Sequence, residues 1–126
     1  MKSVIATPNA PQAVGPYSQG IAVDKTVYLS GQIGLDPATG KLVDGGIAAQ
    51  TAQCLKNIKA LLDNIGATPK DIVKTTVFLT NIQDFASVNA VYGEFFTQDC
   101  PARSCVAVAA LPLGSLVEIE SIVVLP

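Results

Sequence analysis

Histidine is absent from this chain of 126 residues, and so is tryptophan. Without histidine there is no His-based triad, no imidazole proton shuttle and no ordinary zinc site. The chain also has no Cys-x-x-Cys pair and no glycine-rich phosphate loop of the G-x-G-x-x-G or Walker type. Any chemistry must therefore use carboxylates, hydroxyls, backbone groups, a thiol or arginine, and we expect no metal.

Charged side chains are scarce. They make up 14% of the residues, against about 25% in ordinary globular proteins, and the net charge is −2. The lysines are scattered and form no basic cluster, so the electrostatic footprint of a nucleic-acid-binding protein is missing. We therefore expect no nucleic-acid partner.

Long apolar runs are missing, although 49% of the residues are hydrophobic. The longest run, Cys105 to Leu113, includes Pro112 and is far short of the about 20 residues that a membrane-spanning helix needs. We expect no membrane partner, and the excess apolar surface predicts burial against another chain in a homo-oligomer.

A cytoplasmic location is predicted from the first residues and from the cysteines. Residues 1–8 lack the apolar core of a signal peptide. The three cysteines, Cys54, Cys100 and Cys105, are an odd and sparse set that suits a reducing compartment better than a disulfide framework.

The length predicts one domain over residues 1–126. Residues 7–16 are rich in proline, alanine and glycine and predict an irregular arm. Strands are predicted at Tyr17–Val23, Thr26–Ile33, Asp71–Thr80, Ala102–Leu111 and Leu116–Leu125, with a possible short strand near Lys2–Ala6. The segment Leu35–Gly40 is predicted to be a turn-rich loop.

Two helices are predicted between the strands. The first covers residues 47–65, where apolar side chains form one stripe and Gly66 is a plausible C-terminal cap. The second extends from an N-cap at Asp84 to about Phe96. This alternation indicates an α+β fold, with one sheet covered by two helices on one face and by subunit contact on the other.

Arg103 is the only arginine, and it opens the most apolar stretch of the chain. A guanidinium keeps its proton in proteins, so an anion should meet it if the place is poorly hydrated. That anion is either a ligand carboxylate, held by two parallel hydrogen bonds, or a carboxylate of the protein across a subunit interface. Both alternatives remain open from the residues alone.

Glu118 and Glu120 are the second anomaly, because both lie on one face of an otherwise apolar strand. Either glutamate could pair with Arg103 or a lysine, or could carry chemistry. Cys105 shares a face with Arg103 and is either a small buried apolar residue or part of a site, but no histidine can activate it as a nucleophile. Gly31, within a predicted strand, could mark a bulge or a close approach to the backbone.

Several motifs together resemble one known family, the RidA (YjgF-type) reactive-intermediate deaminases. The motifs are Gly15-Pro16-Tyr17-Ser18-Gln19-Gly20, Ser30-Gly31-Gln32-Ile33, Val73-Lys74-Thr75-Thr76-Val77-Phe78-Leu79, Phe85-Ala86-Ser87-Val88-Asn89, Pro101-Ala102-Arg103-Ser104-Cys105-Val106 and Val117-Glu118-Ile119-Glu120. The resemblance runs from the N-terminal arm to the last strand.

The resemblance implies a chorismate-mutase-like α+β fold, with about six strands in a mixed sheet, assembled as a homotrimer with clefts between subunits. It implies hydrolysis, without a cofactor, of 2-iminobutanoate and 2-iminopropanoate to 2-oxo acids and ammonia. Arg103 would hold the substrate carboxylate and Glu118 would position or activate the attacking water. The residues expected to line the cleft are Tyr17, Ser30, Gly31, Asn89 and Cys105.

An alternative function is a non-enzymatic protein that binds or senses small 2-oxo carboxylates through the same arginine. Glu118 discriminates between the two, because catalysis needs a proton acceptor whereas a carboxylate binder is weakened by a nearby negative charge. The family also carries a ribonuclease name. The lack of histidine, the single arginine and the acidic balance weigh against that activity.

Overall fold

A computed structural model describes residues 1–126, and every residue is placed. The main elements in chain order are β1 (Lys2–Ile5), β2 (Gly20–Val23), β3 (Thr26–Ile33), β4 (Leu35–Asp36), β5 (Lys41–Leu42), α1 (Gly46–Ile65), β6 (Ile72–Leu79), α2 (Phe85–Phe95), β7 (Ala102–Ala107) and β8 (Val117–Val124). Single 3₁₀ turns lie at Pro69–Asp71, Ile82–Asp84 and Pro112–Gly114.

Six strands form one mixed sheet in the order β1-β2-β3-β8-β6-β7, and β4 pairs only with β5. The β6–β7 pair is parallel, and the other neighbours in the sheet are antiparallel. The α+β prediction of a six-stranded mixed sheet with two helices is therefore confirmed. No helix is long and apolar enough to cross a bilayer.

Both helices pack on the same face of the sheet, which we call the helix face. Helix α1 contacts β3, β8 and α2, while Tyr92 of α2 bonds to Thr75 of β6. The core contains 18 buried hydrophobic residues, most of them from both helices and from the inward positions of β3, β6 and β8, together with Ala10, Ala67 and Phe96. The opposite side, which we call the open face, has no element of the chain over it, and Tyr28 lies there half exposed.

Helix α1 begins and ends close to its predicted limits. The predicted stripe is buried at Thr51, Leu55, Ile58 and Leu62. Gly66 ends the helix with φ 71°, a left-handed conformation that glycine adopts without steric cost, and its N–H bonds to the last turn. Asp84 precedes α2 as expected, but its side chain makes no capping hydrogen bond.

Three predicted elements differ from the structure. The strand expected to reach Leu111 stops at Ala107, because its partner β6 ends at Leu79 and Val108 N–H donates the last bond to the Leu79 carbonyl. The segment Leu35–Gly40, expected to be all loop, begins with β4. Residues 17–19, expected to extend β2, lie outside the sheet because the buried Gln19 side chain bonds back to the N-terminal arm.

Candidate functional site

Arg103 projects from β7 on the helix face, because its register partner on β6 is the fully buried Thr75. Its Nη1 donates to Asn89 Oδ1 at 2.8 Å. The guanidinium carbon lies 4.7 Å from the centroid of the Tyr92 ring and 5.4 Å from that of Phe85. Three α2 residues therefore hold the guanidinium in place through one hydrogen bond and two cation–π contacts.

No carboxylate of the chain pairs with Arg103, since the single salt bridge joins Lys59 to Asp63. Asn89 uses one of the five guanidinium N–H donors, which leaves others for an anion from outside the chain. Cys105, two residues further along β7, faces the same side. Burial raises the pKa of its thiol and the nearby Arg103 charge opposes that rise, so Cys105 is a neutral thiol near pH 7.

Glu118 projects from β8 on the open face, because Val117 and Ile119 on either side of it are fully buried on the helix face. It makes no ion pair within the chain. Partial burial raises the pKa of its carboxyl above the ordinary value, and repulsion from Glu120 on the same face adds to the rise. A raised pKa makes this carboxylate a stronger proton acceptor than an ordinary glutamate.

Gly31 lies beside Glu118 at an irregularity of β3. The register between β3 and β8 shifts between Leu29 and Gln32. A Cβ atom at Gly31 would lie 2.6 Å from Glu118 Oε2, which is closer than real contacts allow. The glycine therefore makes room for the Glu118 carboxylate, and the prediction of a bulge or a close approach at this position is met in both respects.

Ser30 and Tyr17 connect this region to the N-terminal arm. Ser30 Oγ donates to the Ser18 carbonyl at 2.6 Å, and Ser30 N–H donates to the Gln19 carbonyl. Tyr17 is 54% exposed, and its hydroxyl accepts a long hydrogen bond from Val14 N–H. The Ser30 hydroxyl thus holds the arm, whereas the Tyr17 ring is free to contact a ligand.

The seven predicted site residues fall into two groups that do not meet within one chain. Arg103, Asn89 and Cys105 form the arginine group on the helix face of β7. The glutamate group lies on or beside the β3–β8 pair and contains Glu118, Gly31, Ser30 and Tyr17. Strand β6 separates β7 from β8, and Arg103 and Glu118 project from opposite faces of the sheet.

Two cavities of the single chain lie apart from both Arg103 and Glu118. One of about 460 Å³ lies along the arm and includes Tyr17, and one of about 240 Å³ lies on the open face between Tyr28 and Glu120. Neither is lined by Arg103 or Glu118. No cluster of three or more acidic or cysteine side chains could hold a metal ion.

Comparison with known proteins agrees with these motifs over nearly the whole chain. A family model described as Endoribonuclease L-PSP matches residues 7–125. The 2-iminobutanoate/2-iminopropanoate deaminase of Homo sapiens is 48% identical over 98% of this chain and 90% of that protein, and its Mus musculus counterpart is 49% identical.

This chain belongs to the RidA (YjgF-type) family. A solved structure of a Rid-family protein from Yersinia pestis is 52% identical, with a TM-score of 0.95 over 99% of this chain and all of the other. TdcF of E. coli, solved with bound serine, is 42% identical, with a TM-score of 0.94 over 98% of this chain and 99% of the other. The resemblance inferred from the RidA motifs is confirmed.

Residues that support the site were missed by sequence reasoning. In the sequence Tyr92 is only an aromatic residue of the second predicted helix, whereas in the structure its ring stacks on Arg103. Gln50 and Asn57 of α1 were not singled out, yet both are buried and bond to the sheet. Their signal was available, since both are uncharged polar residues on the inward side of a helix whose neighbouring stripe is apolar.

Proposed function

We propose that this protein hydrolyses 2-iminobutanoate and 2-iminopropanoate to the corresponding 2-oxo acids and ammonia. Relatives about half identical over nearly the whole chain carry the name of that deaminase. The observation that carries the proposal is that Arg103 and Glu118 form no salt bridge within the chain. Asn89 orients Arg103, and the space beside Gly31 holds the Glu118 carboxylate. These charges suit a substrate with a carboxylate at one end and an electrophilic carbon beside it.

Arg103 would hold the substrate carboxylate. A guanidinium already oriented by Asn89 and Tyr92 presents a planar set of donors at little entropic cost. Holding the carboxylate places the neighbouring imine carbon at a defined distance from the sheet, which favours attack. Cys105 would line this end of the cleft as a neutral thiol.

Glu118 would act on water. Its carboxylate takes a proton from the water that attacks the imine carbon and passes it to the nitrogen, which gives a carbinolamine. It then takes the hydroxyl proton of the carbinolamine and delivers it to the nitrogen as the C–N bond breaks, so ammonia leaves and the 2-oxo acid remains. One carboxyl can do both because its raised pKa brings its two protonation states closer in energy near pH 7. The missing side chain at Gly31 would leave space beside the backbone for the Glu118 carboxylate and the substrate. Tyr17 would cover the outer side of the cleft.

We further propose a homotrimer whose clefts each combine the arginine group of one copy with the glutamate group of a neighbour. Within one chain these groups lie on opposite faces of the sheet, so a site containing both needs two copies. The open face offers apolar surface for that contact, since Tyr28, Val106 and Val124 are all 42–50% exposed. The three unpaired cysteines support our proposal of a cytoplasmic location.

The decisive experiment is a coupled assay with Glu118→Gln. Threonine dehydratase generates the imine, and its disappearance is followed with wild type, variant or no added protein. Glu118→Gln is nearly isosteric, so hydrolysis should fall by about 10²- to 10⁴-fold, the usual contribution of a positioned acid–base group. Binding of 2-oxobutanoate, measured by calorimetry, should persist.

The alternative of a carboxylate-binding protein predicts another result. In that case wild type would bind 2-oxobutanoate but leave the rate of imine loss at the uncatalysed value. Glu118→Gln would not change that rate and would tighten binding, because a negative charge near the ligand carboxylate is removed. A destabilised Glu118→Gln assembly, weakened by about 3–5 kcal/mol, would instead identify Glu118 as the structural partner of a buried charge.

A further inference from the structure

Helix α1 has a polar stripe next to its apolar one. Gln50, Cys54 and Asn57 follow one another at i, i+4 and i+7, so they share one side of the helix. All three are buried, with exposures of 8%, 0% and 1%. Each of them bonds to the backbone at a sheet strand or its end.

Asn57 holds the end of β3. Its Nδ2 donates to the carbonyl oxygens of Ile33, at 3.2 Å, and of Leu35, at 2.9 Å. Its Oδ1 accepts from Gln53 Nε2 at 2.9 Å, which fixes the orientation of the amide. Ile33 is the register partner of Glu118, so Asn57 holds the backbone directly opposite the proposed base.

Gln50 and Cys54 hold the start of β8. Gln50 Oε1 accepts from Leu116 N–H at 2.9 Å, and Cys54 Sγ lies 3.8 Å from the Val117 carbonyl oxygen, to which it donates. Leu116 and Val117 immediately precede Glu118. Helix α1 thus bonds to the backbone of both strands that flank the Glu118 carboxylate, at the end of β3 and at the start of β8.

These contacts from α1 matter because the hydrogen-bond ladder between β3 and β8 is interrupted close to Glu118. The register shifts between Leu29 and Gln32, so regular hydrogen bonds do not set the spacing of the strands around Gly31. The Glu118 carboxylate occupies the space that a Cβ at Gly31 would need. A small displacement of either strand would therefore move the carboxylate directly.

We propose that Gln50 and Asn57 are positioning residues for Glu118: they hold β3 and β8 at the separation that aims its carboxylate into the cleft. The inference rests on the proposed function of Glu118. Neither side chain would touch substrate. Both would act by keeping the interrupted pair of strands closed around the carboxylate and short of water.

Two variants and a matched control test this role. Asn57→Leu and Gln50→Met are close in shape but lack the bonds to the strands. Thr51→Val is the control, because Thr51 is also fully buried on α1 but its hydroxyl donates only to the Ile47 carbonyl of the same helix. If Asn57→Leu does not fold, Gln50→Met, which removes a single acceptor, decides the matter.

We expect kcat for imine hydrolysis to fall about 10- to 100-fold in Asn57→Leu and Gln50→Met, the scale of a catalytic group misplaced by about 1 Å. KM should change by less than about threefold, because Arg103 is untouched. Thr51→Val should lose some stability and keep its kcat. A fall in thermal stability like that of Thr51→Val, with kcat unchanged, would overturn the proposal.

A second readout does not depend on activity. The Glu118 carboxyl carbon is followed by NMR as pH changes, with Glu118→Gln identifying its signal. In the variants water should enter between the strands, and the pKa of Glu118 should move down towards the ordinary value. Glu120, whose charge adds to the rise, stays in place, as does Cys54, whose own thiol pKa is raised by Glu118. An unmoved titration would refute positioning. If wild type fails to hydrolyse imines, the proposed function is wrong, and this titration still decides whether α1 positions Glu118.

Discussion

Replacing Arg103 with lysine tests the anion-binding end of the site. Arg103→Lys keeps the positive charge but removes the planar guanidinium. A lysine ammonium cannot bond to Asn89, stack on Tyr92 and bind both oxygens of a carboxylate at once. The expected loss is at least one charge-assisted hydrogen bond, worth about 1.5–3 kcal/mol, so the affinity for 2-oxobutanoate should fall about 10- to 150-fold.

Stability should change somewhat less than affinity. Within the chain, Arg103 has one hydrogen bond to Asn89 and cation–π contacts, and no carboxylate would be left unpaired by its loss. We therefore expect the free energy of unfolding to fall by only about 1–2 kcal/mol. Calorimetric titration measures the affinity, and thermal unfolding at fixed protein concentration measures the stability.

A companion variant places a competitor at the same site. Asn89→Asp would put a carboxylate where the amide oxygen now lies 2.8 Å from Arg103 Nη1, so an internal ion pair should replace the ligand and affinity should fall. Lys56→Gln, on the exposed side of α1, changes the net charge by the same amount and should bind like wild type. Equal affinity in wild type and Arg103→Lys would show that Arg103 has only a structural role.

Four further results are expected. Sedimentation equilibrium at micromolar protein should give about three times the chain mass of 13.0 kDa, and a stable monomer would contradict both the trimer and the shared cleft. Gly31→Ala should abolish most hydrolysis with little loss of thermal stability, because the three atoms nearest to the new Cβ all belong to the flexible Glu118 side chain; retained activity would count against a fitted carboxylate. The raised pKa of Glu118 means that the folded state binds its proton more tightly than the unfolded state does. This group therefore stabilises the fold most at low pH and loses that contribution as pH rises through its folded-state pKa. Denaturant unfolding across pH should show a smaller fall in the free energy of unfolding for Glu118→Gln than for wild type. Gln19→Leu should free the arm, since one buried amide bonds to Thr7, Ala10 and Pro11, and limited proteolysis that is no faster than in wild type would contradict this.

Much of the secondary structure could be predicted because it depends on local periodicity. The apolar stripe of α1 and its glycine cap predicted the helix to within a residue at either end. Predictions failed where a distant segment decides the outcome. The end of β7 is set by the end of its parallel partner, and the path of residues 17–19 is set by bonds from Gln19 to an arm about ten residues earlier.

The candidate site was predicted as a set of residues and not as an arrangement. Arg103 and Glu118 stand out in the sequence because each is a charge within an apolar strand. Asn89 was expected to line the cleft, and the structure shows it bonded to Arg103. Asn57 carries a signal as a polar residue beside an apolar stripe, but its bonds to the strands, and the stacking of Tyr92 on Arg103, depend on tertiary contacts that the sequence does not specify.

The sequence by itself determined which chemistry is available: no histidine, one arginine, and two carboxylates among apolar residues. It also determined which side chains share a face within each strand, because alternation is a property of the extended backbone. Only the tertiary structure decided that the face of Arg103 is covered by the helices and the face of Glu118 is open. That outcome depends on strand order, on the interruption between Leu29 and Gln32 and on the register of distant strands, none of which local periodicity contains.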